Sequence, residues 1–247
     1  MNQDESKIYF KTINGIEAII PKSVIIKIKP LQGRIIEGTY QSLDPNYSRL
    51  LFGPTGRPLK KGEGYFSDYY VLFPGVSYGI TNNISLMAGF SLIPGLSLAE
   101  QLFYVAPKLG MNVNDKFAIA AGALYMNAEE VSAGIGFTVA TFGERDKSLT
   151  LGLGLGYTKE SGEDLEFAKH PIIMFGGNVR ISNSVAFVSE NWLITGSGFK
   201  ISEQPFSIAV RFFGEHISAD VGFIIILEVI EEGFPIPWLS FVYNFGD

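Results

Sequence analysis

The sequence predicts an all-β fold: an up-and-down antiparallel transmembrane β-barrel of about 12 strands with a small N-terminal β subdomain. Three observations carry that prediction. First, from about residue 49, short polar turns alternate with longer irregular stretches between apolar runs of roughly ten residues. The short turns are Thr81-Asn82-Asn83, Asn114-Asp115-Lys116, Glu144-Arg145-Asp146-Lys147, Ser182-Asn183-Ser184 and Glu215-His216; the longer stretches lie near 94–100, 127–130, 159–169, 195–204 and 229–235. Strands that cross a bilayer up and down give tight turns at one end and free loops at the other. Second, charged residues are 18% and hydrophobic residues 47%, with mean hydropathy +0.21, against roughly 25% charged in soluble domains. Yet no apolar run approaches the ~18 residues a membrane helix needs. Third, the strands lack a Lys/Glu-rich face. In 148–158, Leu149, Leu151, Leu153, Leu155 and Tyr157 share one face, and Thr150, Gly152, Gly154, Gly156 and Thr158 the other. Leucine toward lipid and small residues toward a lumen is the arrangement expected of a membrane barrel.

Residues 1–43 read as the small subdomain and 44–247 as the barrel. Short β segments fall near 7–12, 17–21, 24–28 and 34–40, with Asn14-Gly15 as a hairpin turn, since both residues tolerate φ > 0. The pattern suggests part of an SH3-like sheet that is short for a core of its own and leans on the barrel or on a periplasmic partner engaging residues 7–40. The barrel strands are expected near 49–55, 67–80, 84–93, 101–113, 117–126, 131–142, 148–158, 170–180, 185–194, 205–213, 217–228 and 236–245, with a loop at 56–64 after the first. An even count puts both barrel ends on the short-turn side, which is periplasmic in bacterial barrels. Apolar faces pointing outward are also read in 133–139, 206–212 and 239–245. Pro74, Pro107 and Pro171 fall inside expected strands and must sit at bulges or rims, because proline donates no ladder bond. The register of 185–194 is not readable without a bulge.

Composition excludes several functions. The formal charge of −6 and pI near 5.1 leave no basic footprint for nucleic acid. Absence of cysteine removes disulfides and thiolate metal sites. Residues 1–6 are acidic and polar, unlike a secretory signal; the expectation is a mature chain behind an added methionine, in the bacterial outer membrane with its signal peptide removed.

Five ionisable residues fall on inward phases: Lys108, Arg180, Arg211, Asp220 and Glu228. A charge on the lipid face costs ~2–4 kcal/mol at midplane, so these are expected to face the lumen and pair there. They form either a charged constriction that filters small solutes or a salt-bridge network that plugs and shapes the barrel. Ser189-Glu190-Asn191-Trp192 either lines a mouth, binds a polar ligand, or is interfacial with Trp192 in an aromatic belt. His170 with Asn178 or Asn191 and a serine would suit a membrane lipid hydrolase, but no Gly-x-Ser-x-Gly supports a nucleophile. The carboxylates of 160–166 and 228–232 lack calcium-loop spacing. No cofactor or metal is expected, and the chain is not read as an enzyme.

The stretch Arg49-Leu50-Leu51-Phe52-Gly53-Pro54-Thr55-Gly56-Arg57-Pro58-Leu59-Lys60-Lys61-Gly62-Glu63-Gly64-Tyr65-Phe66, with Ser77–Asn83, Ser91–Gly95 and Ser189–Trp192, resembles an uncharacterised bacterial family of outer-membrane-type envelope β-barrels. The resemblance spans most of 44–247 and implies a fold without a mechanism; no functional residue is carried over from it. The reading is therefore a narrow, porin-like channel or a structural envelope protein in contact with membrane lipid. A soluble or periplasmic lipid-binding barrel is the main alternative, and an outer-membrane lipid hydrolase a further one.

Overall fold

The computed structural model describes residues 6–12, 15–26, 33–36, 38–129, 131–162 and 164–246. By its internal contacts the chain divides into two compact units, Met1–Leu43 and Asp44–Asp247. In the first, β1 (Lys7–Lys11) pairs with β2 (Glu17–Pro21), and β3 (Gly33–Ile36) with β4 (Thr39–Ser42), as two separate two-stranded sheets. The segment expected at 34–40 is a hairpin rather than one strand, because Gly38 takes φ 78° and reverses the chain. Asn14 and residues 27–32, which carry part of the turn and of the segment expected at 24–28, lie outside the described residues.

In the second unit the wall begins only at β5 (Gly64–Tyr69), followed by β6 (Phe73–Gly79), β7 (Ile84–Phe90), β8 (Phe103–Asn114), β9 (Phe117–Ala128) and β10 (Val131–Glu144). Then come β11 (Lys147–Glu160), the two-residue β12 (Glu166–Phe167), β13 (Ile172–Ser182), β14 (Val185–Ile194), β15 (Phe206–Phe213), β16 (Ile217–Ile225), the short helix α1 (Leu227–Glu232) and β17 (Ile236–Phe245). Each wall strand pairs antiparallel with its neighbours, and β17 pairs back onto β5. Among the described residues twelve strands thus close a barrel, with β12 an extra rung on β11. Closure satisfies every edge, a requirement in lipid.

The expected count of twelve is reached by two compensating differences. Residues 49–55 are not in the wall, and 67–80 is not one strand. Tyr70 and Val71 both take positive φ (58° and 64°) and fold that run into the tight β5–β6 hairpin. The alternation of turns is also imperfect at the long-loop end, where 70–72 is a tight connection and Ala128 at the end of β9 already pairs with Val131 at the start of β10, Glu129 between them having φ 49°.

Wall side chains alternate as a membrane barrel requires. Leu153 is 57% exposed on the outer face, whereas Thr150, on the opposite face of the same strand, is fully buried inside. Strand β10 reverses the expected facing. Ile135, Phe137 and Val139 lie opposite Gly156, Gly154 and Gly152 on the inner side, and Gly136 and Thr138 face out. The inward glycines of β11 leave the volume that these large side chains fill.

Pro74 and Pro171 lie at the long-loop rim, at or just before strand starts. Pro107 sits at neither bulge nor rim. The β8–β9 ladder skips Ala106 and Pro107 and resumes at Lys108↔Gly122 in unchanged register. Bulges lie instead at Arg180/Ser182 and Asn112/Asn114. Strand β14 runs without a bulge; Ala186, Val188, Glu190 and Trp192 face in, and its outward Ser189 and Asn191 satisfy each other and nearby backbone groups.

Candidate functional site: a lumen filled by residues 44–63

Residues 44–63 occupy the barrel interior. Asp44, Asn46, Ser48–Leu51, Thr55, Arg57, Leu59 and Glu63 are buried. The segment enters at the short-turn end, where the Asn46 side chain bonds Ser218 near the β15–β16 turn (2.9 Å). It then forms a tight hairpin: the Thr55 amide donates to Ser48 O (3.0 Å) and the Leu50 amide to Gly53 O (2.8 Å). It leaves at the same end, where the Lys61 amide donates to Asn82 Oδ1 in the turn at 80–83 (3.1 Å). At the tip, Leu50 and Leu51 pack on Ala120, Val139, Met174, Val188 and Ala209 of the wall.

Three sets of wall groups hold this plug. In the first, Arg211 Nε and Nη2 bind Asp220 Oδ1 and Oδ2 (2.6 and 3.0 Å) across the β15–β16 ladder, and Nη2 also donates to Leu50 O (2.6 Å). Asp44 lies 3.6 Å from Arg211, and Arg49 Nη1 reaches Asp220 (3.3 Å) and the carbonyls of Leu50 and Leu51. Two arginines and two aspartates thus neutralise one another in a site where Arg211 is 1% and Asp220 0% exposed. In the second, Glu190 Oε2 accepts the amides of Leu51, Phe52 and Gly53 (2.9, 3.0 and 2.8 Å), and its Oε1 accepts the Trp192 indole N–H (3.0 Å). In the third, Lys108 Nζ donates to the carbonyls of Ser48, Thr55 and Arg57 (3.1, 3.3 and 3.0 Å). One buried anion therefore reads plug amides and one buried cation reads plug carbonyls, a charge-assisted grip on backbone alone.

The rim adds weaker ties. Arg57 donates to Gly143 O (2.9 Å), and Arg145 stacks over the Tyr47 ring at 4.0 Å. Tyr47 donates to Glu63, joining the two legs of the plug; burial, and then the Glu63 carboxylate, push its phenol pKa up, so it stays a donor. Gly56 passes so close to β9 that a Cβ there would meet Ala118 O at 2.3 Å, while its amide bonds Thr141 Oγ1 (2.8 Å). No larger residue fits that crossing.

Of the five ionisable residues singled out in the sequence, Lys108, Arg211 and Asp220 come together around the plug. Arg180 stands at the short-turn rim, bound to Asp146 (2.6 Å) and to Asn183 O, with Phe213 against its guanidinium. Glu228 does not face the lumen: it is exposed on α1. The strand expected to 228 stops at Ile225 because β15 begins at Phe206, opposite Ile225, and β17 begins at Ile236, opposite Ile224, leaving no ladder beyond. The helix formers Leu227-Glu228 then coil. Sequence reasoning does not single out Glu190, Asp44, Arg49 or Arg57 as lumenal charges. For Glu190 the signal is a lone acid on the inward phase of β14.

The groups of the hydrolase alternative are spread apart: His170 is exposed in loop 161–171, Asn178 is bound to Ser148 and Arg145 O near the short-turn end, and Asn191 faces outward. Among the described residues no group of three His, Cys, Asp or Glu side chains is placed to hold a metal ion.

The protein is an outer-membrane-type twelve-stranded β-barrel. No protein-family model and no curated protein matches the sequence. Among solved structures it is similar to the KdgM porin in complex with disordered oligogalacturonate, with TM-score 0.53 and 9% identity over 75% of this chain and 99% of that one. The NanC porin is similar at TM-score 0.48, with 8% identity over 74% of this chain and 97% of that one. At these identities the likeness is one of fold.

Proposed function

We propose that this protein is a narrow outer-membrane channel held shut by its own residues 44–63. The carrying observation is that Glu190 and Lys108 spend their charges on the plug backbone, each with three bonds. Buried charges engaged mainly by a removable segment suit a gate better than a permanent core, since a fixed core is as stable with apolar residues in their place. In this reading the short-turn end is periplasmic, and a periplasmic partner that engages residues 7–40 acts on the plug through the chain that joins them at Leu43 and Asp44. Small solutes pass when the plug withdraws. The KdgM porin, solved in complex with an oligogalacturonate, supports passage of small polar solutes as a class.

The test is planar-bilayer recording of the full chain and of a variant lacking 46–58. Long closed periods in the first and steady conductance in the second are expected. Steady open conductance of the intact chain would overturn the proposal, and silence of both forms would favour a structural envelope role.

A further inference from the structure

We propose that the long-loop side of the plug carries a binding site for a neutral molecule with an alkyl chain. It rests on the barrel and on the seated plug, and is independent of whether the plug ever opens. A cavity of about 90 Å³ runs beside the plug, past Leu59, Tyr65 and Ser85, and reaches its tip, where Phe52, Ile135, Phe137, Ile172, Met174 and Trp192 wall it. Gly152 and Gly154 line it without side chains of their own, and Val139 and Ile135 pack directly on them: a Cβ at Gly154 would meet Ile135 Cδ1 at 2.3 Å, and one at Gly152 would meet Val139 Cγ1 at 2.9 Å.

A buried water needs roughly 10–15 Å³ on this scale and two to four polar partners, so there is space for several waters but little to hold them. The lysine and the indole at its margin are already engaged, and the arginine in part. Lys108 is held by three carbonyls, the Trp192 indole by Glu190, and the Arg49 Nη atoms by Asn46, Leu50, Leu51 and Asp220, with Arg49 Nε left without a hydrogen-bond partner. An apolar space that hydrates poorly favours an apolar occupant. Lys108 and Arg49 are the cations at the cavity among the described residues. The three Lys108 protons are taken by carbonyls and the Arg49 charge is met by Asp220 at 3.3 Å, so no unmet charge is left for a carboxylate or a phosphate, which is why the ligand is neutral. The site thus differs in chemistry from a lumen that carries acidic sugars.

Trp192 is its reporter. The chain has two tryptophans, so Trp238→Phe leaves Trp192 alone. Titrating that full-length chain in detergent with 12-bromododecanol should quench Trp192 saturably. In the same background, Ala106→Phe, which fills the cavity, and Ile135→Asp, which charges its wall, should each weaken binding at least five-fold while gel migration stays that of the folded barrel. Quenching that is unsaturable and equal in every folded form would be micelle partitioning and would overturn the proposal. Equal binding of 12-bromododecanoate would overturn its neutral character. Should both variants fail to fold, bromine anomalous scattering from the parent chain decides: a peak between Phe52 and Trp192 is expected, and peaks confined to the outer wall refute the site. Conductance plays no part in these readouts, so failure here leaves the gating proposal standing, and the reverse.

Discussion

The wall and the plug of this barrel use polar groups in opposite ways. The wall satisfies its backbone through a closed ladder and turns leucines to lipid; its stability is spread over many equivalent rungs. The plug pairs little backbone with itself beyond one hairpin of two bonds. Its carbonyls and amides are met by side chains far away in sequence: Lys108, Glu190 and Arg211. The wall is therefore held by repetition and the plug by a few charges. Damage to the wall should be shared, whereas damage to the plug should be local and large.

Arg211→Ala is expected to do the most harm. It leaves Asp220 and Asp44 buried with one arginine between them and strips Leu50 O of a donor. Breaking a buried pair from one side costs about 3–5 kcal/mol. Unfolding in urea should shift by that order, and amide exchange at 50–53 should accelerate by more than the wall's. If wall and plug amides speed up equally, the two regions form one cooperative unit and the comparison fails. On the wall, Leu153→Arg places a cation on the outer face, for ~2–4 kcal/mol at midplane. Insertion into vesicles should fall while plug exchange in the folded fraction stays unchanged.

These two regions also differ in how legible they are. Alternation such as Leu149 to Tyr157 against Thr150 to Thr158 is a local property, and it gives strand count, facing and topology from sequence. It misleads where facing depends on a neighbour, as in β10, whose inward Ile135, Phe137 and Val139 follow from glycines on β11. The plug reads as a first strand in sequence because Leu50-Leu51-Phe52 is as apolar as any rung. What marks it as interior is long-range: Glu190 and Lys108 lie about 140 and 60 residues from the backbone they hold. Asp220 and Arg211 are legible as lumenal charges because they sit opposite one another on adjacent strands; Glu190 is noticed only within a polar group of β14 and not as a lumenal charge, because its plug partners are amides, which no sequence displays.

Glu190→Gln sharpens the comparison by changing charge and little else. The amide keeps one acceptor oxygen toward Leu51, Phe52 and Gly53 but forfeits the ionic share of three bonds. Hydrogen bonds to charged groups contribute about 1.5–3 kcal/mol against about 0.5–1.5 for neutral ones. A loss of about 1–2 kcal/mol is expected, read as faster exchange at those three amides with global unfolding nearly unmoved. Silence at the amides would mean that apolar packing of Leu50 and Leu51, not Glu190, seats the tip.

The smallest effect is expected at the rim. Arg145 stands 4.0 Å over Tyr47 where the plug enters the barrel, and such contacts are worth about 0.5–1 kcal/mol at exposed sites. Arg145→Ala should therefore leave global stability almost unchanged. Its place at the entrance gives it a different leverage: the plug can withdraw only if Tyr47 parts from Arg145, and the Tyr47 hydroxyl also ties the returning leg through Glu63. Brief openings in single-channel records should become a few-fold more frequent in Arg145→Ala without lengthening. In Glu190→Gln, where the tip itself is loosened, openings should last longer as well. Frequency and duration then separate the rim, which guards entry to the open state, from the deep contacts, which decide how quickly the tip reseats. If Arg145→Ala lengthens openings as Glu190→Gln does, rim and tip move together, and the plug is a single rigid body rather than a hairpin released from its entrance inward.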